Sequence, residues 1–318
     1  MVKIVIPDDA PPVISGTKAL AKLKEYGDVT LYTTLPASPQ ELLERIGQAH
    51  TVLNIRASSK FTADILKACS NLKHLAIWGT GTDNVDLNAA ALLGIVVTNT
   101  PNTGTDAVAE QALALMLAVA RRIPQIDAQI KRGEWVRGML TQLRGKTLGI
   151  VGTGAIGLRM AELGRGIGME VIAWTLHPSE EKAQMFGFSY LPSLETLLQE
   201  ADVVSLHMRL SDETQRMIGA KEFALMKPTS IFINTARGPL VDQDALYHAL
   251  AEGRIAGAGL DVFAKEPIPP NDPLLKLPNL VCSPHTAGTT PEALENGLNM
   301  AADNVLAFLE GETRNRVV

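Results

Sequence analysis

Residues 146–175 read KTLGIVGTGAIGLRMAELGRGIGMEVIAWT, and this stretch decides the fold of the chain. The apolar run Thr147–Val151 is typical of a buried strand, Ala155–Leu163 predicts a helix, and Glu170–Trp174 predicts a second strand. The first strand and the helix are joined by a G-x-G-x-x-G turn, which consists of Gly152, Gly154 and Gly157. This order predicts a βαβ unit of the kind that binds a dinucleotide.

Each glycine has its own physical reason to be in that turn. Gly152 permits the tight turn, Gly154 lets a pyrophosphate approach the backbone, and Gly157 lets the helix pack against the strand. The first helical residues, Ala155 and Ile156, lie where free N–H groups of a helix N-terminus bind phosphates. We therefore predict that these five residues contact a dinucleotide cofactor.

The acidic residue that binds the ribose 2′-OH in such sites is missing from this chain. It should lie about 20 residues further on, at the end of the second strand, where Thr175 stands. No arginine follows to accept a 2′-phosphate, and only His177 and Lys182 could meet one. NAD and NADP both remain open, and we expect weaker discrimination between them than an Asp-bearing relative would show.

Composition excludes several classes of protein. The 318 residues suggest two domains, and 46% hydrophobic with 20% charged residues is an ordinary soluble profile. A net charge of −5 without a basic tract argues against a nucleic-acid surface. The apolar stretch Ala107–Ala120 is too short to span a membrane, and the N-terminus lacks a signal-peptide core. With only Cys69 and Cys282, no disulfide framework is implied, and we expect a cytoplasmic protein.

Strand-like and helical patterns alternate along nearly the whole chain, which favours parallel sheets covered on both faces by helices. Thr98–Pro101 is interpreted as a crossing between two α/β domains, and Pro291–Glu310 as a final helix that returns to the first one. Asp106–Arg122 predicts a very apolar helix, either buried between layers or part of a subunit interface. Gln125–Leu143 is expected to be irregular, with Trp135 as a packing anchor.

Three side chains suited to acid–base or anion-binding chemistry follow successive strand-like runs: Arg237, Glu266 and His285. An imidazole titrates near neutral pH and can protonate a nascent alkoxide, and a neighbouring carboxylate fixes its tautomer. A guanidinium can hold a 2-oxo acid through two oxygens. Singly, each residue has an ordinary structural interpretation, as a helix cap, a surface charge and a buried histidine. Their joint occurrence at three strand ends favours a reaction site.

Two loops of the first domain are also candidates. The turn that contains Gly79, Thr80 and Gly81 could bind a carboxylate through its N–H groups, or could be a tight loop in which Asp83 caps the next helix. Arg56 follows the preceding strand and could bind substrate, although solvated loop charges are common.

The remaining histidines and cysteines suggest no further chemistry. His50, His74 and His248 have no partners at ligand spacing, so no metal site is predicted. Cys282 is interpreted as a buried thiol on a strand.

Seven motifs resemble, in this order, the D-isomer-specific 2-hydroxyacid dehydrogenase family, which includes glyoxylate/hydroxypyruvate reductases and phosphoglycerate dehydrogenases. The resemblance covers nearly the whole chain, and its motifs are Gly79-Thr-Gly-Thr-Asp-Asn-Val-Asp, Thr98-Asn-Thr-Pro, Val108-Ala-Glu, Gly152-Thr-Gly-Ala-Ile-Gly, Asn234-Thr-Ala-Arg-Gly, Gly259-Leu-Asp-Val-Phe and Ser283-Pro-His.

The resemblance implies that a small 2-oxo acid is reduced to the D-2-hydroxy acid, or the reverse, with NAD or NADP. Arg237 would orient the substrate, His285 would be the acid/base with Glu266 as its partner, and N–H groups around Gly79–Gly81 would hold the substrate carboxylate. Further cofactor contacts are expected, and these are His207, Thr235, Ala236 and Asp261.

The resemblance also implies a fold of two doubly wound parallel-sheet domains. A Rossmann cofactor domain, residues 99–290, would be inserted into a flavodoxin-like substrate domain of residues 1–98 and 291–318. Members are usually homodimers through the cofactor domain. The usual His-x-Pro motif is here His207-Met208-Arg209, so the loop on the adenosine side is expected to differ.

Two other activities on this fold need to be weighed. Formate dehydrogenases of this family pair the histidine with glutamine, so Glu266 argues against formate oxidation. A dinucleotide-sensing corepressor is the alternative function outside enzymes. The sequence leaves open which 2-hydroxy acid is the substrate and which direction the reaction takes.

Overall fold

The structure is a computed structural model that describes residues 1–318, and the chain forms two compact units. The first unit consists of Met1–Gly104 together with Thr289–Val318, and the second of Thr105–Gly288. Both contain a parallel sheet with helices, as the alternating pattern predicted.

The first unit contains a five-stranded sheet whose strands all pair in parallel. In chain order they are β1 (Lys3–Ile6), β2 (Asp28–Leu31), β3 (Thr51–Asn54), β4 (His74–Ile77) and β5 (Val96–Thr98). The spatial order β2-β1-β3-β4-β5 is the flavodoxin-like arrangement, which confirms the predicted fold class of this unit. Every residue of β3 and β4 is buried, as expected for central strands covered on both faces.

The helices between these strands begin at side chains suited to that position. They are α1 (Lys18–Tyr26), α2 (Pro39–Ile46), α3 (Ala63–Ala68) and α4 (Leu87–Leu92). The residue before each helix accepts a hydrogen bond from an amide of the first turn, and these caps are Thr17, Ser38, Thr62 and Asp86. Each cap of this kind contributes about 1 kcal/mol to stability.

The second unit contains a seven-stranded parallel sheet. Its strands are β6 (Thr147–Val151), β7 (Glu170–Trp174), β8 (Ser189–Tyr190), β9 (Val203–Leu206), β10 (Ile231–Asn234), β11 (Gly257–Leu260) and β12 (Leu280–Cys282). The order β12-β11-β10-β9-β6-β7-β8 reverses direction between β6 and β9. Ligands of such sheets bind beyond the carboxyl ends of the strands at this switch point, where the glycine turn also lies.

The helices of the second unit are α5 (Thr105–Arg121), α6 (Ile123–Lys131), α7 (Ala155–Gly166), α8 (Glu180–Phe186), α9 (Leu194–Glu200), α10 (Ala220–Leu225) and α11 (Gln243–Ala251). One face of α5 lies directly on β11. A Cβ added at Gly259 would be 2.8 Å from the Leu115 Cβ, and one at Gly257 would be 2.8 Å from Val119 Cγ1. The two glycines of β11 therefore allow this close packing, which accounts for the apolar composition of α5.

Two expectations for the segment after α5 were wrong. Irregular structure was expected for Gln125–Leu143, but residues 125–131 belong to α6, and only residues 132–143 are irregular. Trp135 is 77% exposed and packs no core, and Met139 nearby is 94% exposed. Sequence pattern alone did not reveal this, because a large apolar side chain is usually buried in its own chain.

The last helix, α12 (Pro291–Leu309), belongs to the first unit. Its residues Leu298, Ala301 and Val305 share a core cluster with Ile4 and Ile6 of β1. A Cβ at Gly297 would be 2.2 Å from Nε1 of Trp78, so the indole ring lies directly on the helix backbone. None of the helices is both long and apolar enough to cross a bilayer.

Candidate active site

His285 and Glu266, predicted from separate strand ends, lie together in the second unit. His285 Nδ1 is 2.7 Å from Glu266 Oε2, and Glu266 Oε1 accepts a hydrogen bond of 3.0 Å from the Phe263 amide. The two side chains are 39% and 36% exposed, respectively. With Nδ1 donating to the carboxylate, Nε2 is the ring nitrogen left to exchange a proton with a substrate.

Glu266 is held in its ionised form. Its burial alone would raise the pKa of this carboxyl group, but hydrogen bonds from His285 and from the Phe263 amide lower it. The charges of His285 and Arg237 act in the same direction, and the net pKa of Glu266 is below its ordinary value. The carboxylate is therefore available as an acceptor for the Nδ1–H at neutral pH.

The loop that carries His285 is organised by Asp261, which is buried at the end of β11. Asp261 Oδ1 accepts hydrogen bonds from Ser283 Oγ at 2.6 Å and from the Thr286 amide at 3.0 Å, while Oδ2 accepts one from the Ala287 amide at 2.9 Å. His285 itself has φ of +53°, a conformation that non-glycine residues rarely adopt. The three bonds to Asp261 hold the backbone on both sides of this residue.

Arg237 lies in a turn that is fixed by its neighbours. The Asn234 side chain accepts from the Ala236 amide at 2.9 Å and donates to the Arg237 carbonyl at 3.0 Å. The next residue, Gly238, lies so close to the Phe263 backbone that a Cβ there would be 1.9 Å from the Phe263 carbonyl carbon. The turn of Arg237 and the loop of Glu266 are thus in direct contact.

Gln243, the first residue of α11, is a contributor that the sequence analysis missed. Its Oε1 accepts from the Ala264 amide at 3.1 Å, and its Nε2 donates to Asp272 Oδ2 at 3.0 Å. The side chain thus joins the two ends of the loop that carries Glu266. No local sequence signal marks this role, because both partners are more than 20 residues away along the chain.

The glycine turn has the geometry that dinucleotide binding requires. Gly152 has φ of +100°, and a Cβ at Gly157 would be 2.0 Å from the Gly152 carbonyl oxygen, so neither position accommodates a side chain without strain. Gly154, in contrast, faces open space and caps α7 without any side-chain hydrogen bond. Ala155 and Ile156 form the first turn of α7, so the helix N-terminus is left for an anion.

The other predicted cofactor contacts lie around this turn or on neighbouring strand ends. Thr175 follows β7 directly and is half-buried. The His207 carbonyl oxygen would be 2.7 Å from a Cβ at Gly152, so His207 lies against the turn. The His207 ring contacts Ser205 Oγ at 2.8 Å, and burial lowers the pKa of His207 to about 4, which keeps it neutral. Thr235 and Ala236 follow β10, and Thr235 Oγ1 is buried without a hydrogen-bond partner.

In the first unit, the predicted substrate residues lie at the carboxyl ends of β3 and β4. Arg56 is half-buried with its guanidinium carbon 5.8 Å from the centre of the Trp78 ring. The Gly79 amide donates to Thr100 Oγ1 at 2.7 Å, whereas the amides of Thr80 and Gly81 donate to no group of the chain. Carboxylate binding by this turn would therefore use Thr80 and Gly81 rather than Gly79.

Two residues outside these sites need a comment. Cys282 is exposed, so its interpretation as a buried thiol was wrong. His74 is fully buried, where its Nε2 contacts Thr98 Oγ1 at 2.9 Å and its ring stacks on Phe308. No group of three or more His, Cys, Asp or Glu side chains is arranged to hold a metal ion.

Comparison with known proteins identifies the family. Residues 113–287 match the NAD binding domain of the D-isomer specific 2-hydroxyacid dehydrogenases. The chain is also 40% identical over 302 residues to a glyoxylate reductase of Korarchaeum cryptofilum, an alignment that covers 93% of this chain and 90% of that protein. The chain belongs to the D-isomer specific 2-hydroxyacid dehydrogenase family. The resemblance noted in the sequence is thereby confirmed.

Other members of this family show the range of related proteins. A D-3-phosphoglycerate dehydrogenase of Methanocaldococcus jannaschii is 39% identical over 320 residues, which is all of this chain but 59% of that protein. Among solved structures, an NADPH-dependent glyoxylate/hydroxypyruvate reductase of Sinorhizobium meliloti, in complex with NADP and malonate, has a TM-score of 0.87. It is 31% identical to this member, and the match covers 100% of this chain and 97% of the other.

Proposed function

We propose that this family member reduces a small 2-oxo acid of the glyoxylate or hydroxypyruvate type to the D-2-hydroxy acid, or catalyses the reverse reaction, with NAD(P)H. The observation that carries the proposal is the 2.7 Å contact between His285 Nδ1 and Glu266 Oε2 in the unit that also contains the glycine turn. Residues 99–290 are proposed as the cofactor domain, and residues 1–98 with 291–318 as the substrate domain.

The residues of the second unit fit a nicotinamide dinucleotide. The open space at Gly154 and the uncapped N-terminus of α7 suit a pyrophosphate. Thr235 Oγ1 is buried without a hydrogen-bond partner. A ligand group that forms a hydrogen bond with this hydroxyl would remove the free-energy cost of leaving it unpaired, and this favours ligand binding. NAD(P)H would supply the hydride that reduces the substrate carbonyl carbon.

The acid–base step falls to His285. As the carbonyl carbon is reduced, Nε2 of His285 donates a proton to the developing alkoxide oxygen. Glu266 accepts the Nδ1–H throughout, so it fixes the tautomer and stabilises the imidazolium before the proton leaves. In the reverse reaction, the neutral imidazole takes the proton from the substrate hydroxyl group.

Substrate orientation is assigned to charged and amide groups. The Arg237 guanidinium suits a 2-oxo acid because its planar donors can bind two oxygens at once. The free amides of Thr80 and Gly81 suit the carboxylate, and Arg56 could contact a larger substituent of the substrate.

A homodimer through the second unit is part of the proposal. Its support is a set of apolar side chains exposed on α5, α6 and the segment after α6: Leu117, Ile123, Ile130, Trp135, Val136, Met139 and Leu140. An exposed apolar surface of this kind commonly marks a protein interface. Free thiols at Cys69 and Cys282 accord with the reducing cytoplasm proposed as its location.

The test is a steady-state assay that follows NAD(P)H absorbance with glyoxylate, hydroxypyruvate, pyruvate and 3-phosphohydroxypyruvate. Turnover of at least one 2-oxo acid is expected, and the panel identifies the preferred substrate. No turnover on any of them, with either dinucleotide, would contradict the proposal. The relatives described above are named as enzymes, and none supports the corepressor alternative.

A further inference from the structure

Lys182 brings a positive charge to the glycine turn. It lies on α8, and its Nζ donates a hydrogen bond of 3.4 Å to the carbonyl oxygen of Thr153, the residue between the first two glycines of the turn. Thr153 is buried, and its Oγ1 contacts the Tyr190 hydroxyl at 2.8 Å, so this carbonyl group is held in place. The ammonium group therefore lies beside the turn despite the exposure of Lys182.

Thr175 lies next to the same turn. β6 and β7 are paired so that Val151 is opposite Trp174, and the Gly152 amide donates to the Trp174 carbonyl at 2.8 Å. In dinucleotide-binding sheets the adenosine ribose lies at the end of this second strand, where an acidic residue accepts the 2′-OH. Here the position has an uncharged threonine, and the Lys182 ammonium lies on the Thr153 carbonyl group of the adjoining turn.

The Lys182 ammonium retains hydrogen-bond donors for a phosphate group. A lysine ammonium has three donors, and only one of those of Lys182 is used by Thr153. Two carboxylates, Glu180 and Glu181, are on the same helix, and both are exposed. Thr175 itself contributes no negative charge to oppose a dianion.

We propose that Lys182 is a specificity-determining residue that binds the 2′-phosphate of NADP(H), and that Thr175 leaves room for this phosphate. The inference rests on the proposed dinucleotide binding and deepens it, because it predicts that the protein favours the phosphorylated cofactor. His177 is exposed in the connection between β7 and α8.

The test measures binding without catalysis, by isothermal titration calorimetry with three adenosine probes. Adenosine 2′,5′-bisphosphate contains the phosphate of interest, adenosine 3′,5′-bisphosphate has the same charge at another position, and AMP lacks the second phosphate. The wild-type protein is expected to bind the 2′,5′-bisphosphate about tenfold more tightly than AMP, the low end for a charge-assisted hydrogen bond at an exposed site. The affinity for the 3′,5′-bisphosphate should exceed the affinity for AMP by much less than tenfold.

Three variants test whether the higher affinity for the 2′,5′-bisphosphate depends on the Lys182 side chain. Lys182→Gln should remove the tenfold difference and leave AMP affinity unchanged, whereas Lys182→Arg should retain the difference because arginine also binds phosphate. Lys221→Gln is the matched control, since Lys221 is an exposed lysine of the same unit that pairs with Glu195. Thermal melting of each variant separates loss of binding from loss of folding.

The outcomes distinguish this inference from the proposed function. Equal affinity of the wild-type protein for the 2′,5′-bisphosphate and AMP, or an unchanged difference in Lys182→Gln, would overturn the role of Lys182 alone. Binding of none of the three probes, together with no detectable binding of NAD or NADP, would overturn both.

Discussion

The backbone amide of His285 donates a hydrogen bond of 2.7 Å to the carbonyl oxygen of Asp261. The carboxylate of the same aspartate holds the next two amides along the chain. The position of the imidazole is thus fixed in two ways. Asp261 holds the backbone of its loop, and Glu266 holds the ring through Nδ1. A reactive side chain on a loop gains precision from such redundant support.

Replacing His285 with alanine should lower turnover by about 10²–10⁴-fold, because the alkoxide then loses its proton donor. The affinity for NAD(P)H should not change, since no part of the glycine turn is altered. Steady-state kinetics and a cofactor titration measure the two quantities. His248→Ala is the matched control, because that histidine is exposed on α11 and contacts only Glu252 and the neighbouring Tyr247 ring. A His285→Ala protein with full activity would show that the assignment is wrong.

Asp261→Asn should reduce the free energy of unfolding by about 2 kcal/mol, because an amide NH₂ group then faces a buried N–H donor that needs an acceptor. Turnover should also fall, since the loop of His285 is released. Urea unfolding measures the first effect. Asp127→Asn, at an exposed position of the same unit, should stay within about 0.5 kcal/mol of the wild type. Equal stability of the two variants would contradict the support described for this loop.

Gly157→Ala should destabilise the protein by about 1–3 kcal/mol and weaken dinucleotide binding, because the added methyl group collides with the Gly152 carbonyl. The control is another glycine of the same helix, Gly166, where an added Cβ meets nothing within 4 Å. Gly166→Ala should leave binding intact and raise stability by about 0.5–1 kcal/mol. Denaturant unfolding and calorimetry of both variants provide the comparison, and a stable Gly157→Ala that binds dinucleotide normally would count against the close packing.

Burial lowers the pKa of His74 from 6.5 to about 3. Between these two pH values the histidine is therefore protonated in the unfolded state and neutral in the folded state. The contribution of His74 to stability is therefore fully present above pH 6.5 and is lost as the pH falls from there towards 3. His74 alone should cost about 2 kcal/mol between pH 7 and pH 5. Urea unfolding at both pH values should show a correspondingly smaller loss in His74→Phe, whereas His248→Ala should keep the wild-type loss. An unchanged pH dependence in His74→Phe would refute the prediction.

Introducing charge into the exposed apolar surface of the second unit should separate the proposed dimer. Trp135→Glu combined with Met139→Glu should weaken self-association by at least about 100-fold, since two large apolar contacts are lost. Sedimentation velocity measures the change. Leu92→Glu is the control, at a side chain 89% exposed on α4 of the first unit, and this variant should remain dimeric. A monomeric wild-type protein would end the dimer proposal.

The features that local pattern determines could be predicted from the sequence. Apolar runs and glycine spacing between Lys146 and Thr175 were enough for the βαβ unit, because such signals arise from neighbours along the chain. The proximity of His285 and Glu266 followed from the rule that parallel strands end at one edge of a sheet.

The contacts that hold those groups could not be predicted. Gln243 contacts partners in another loop, and the ammonium of Lys182 contacts the carbonyl group of Thr153, which is 29 residues away along the chain. Trp135 and Cys282 were misjudged because burial depends on the whole surface and not on residue type. These contacts and the burial of individual side chains are therefore set by tertiary packing, which the periodicity of the sequence does not reveal.

The position of α12 has a consequence for biosynthesis. Its apolar face completes the core around β1, yet the ribosome makes β1 before every residue of the second unit and α12 after all of them. The inserted unit can thus fold during translation, whereas Met1–Gly104 must wait with part of its core uncovered until α12 has been made. This member of the family therefore exposes apolar surface on the nascent chain for longer than two domains in tandem would, and its dependence on chaperones should be set by that interval.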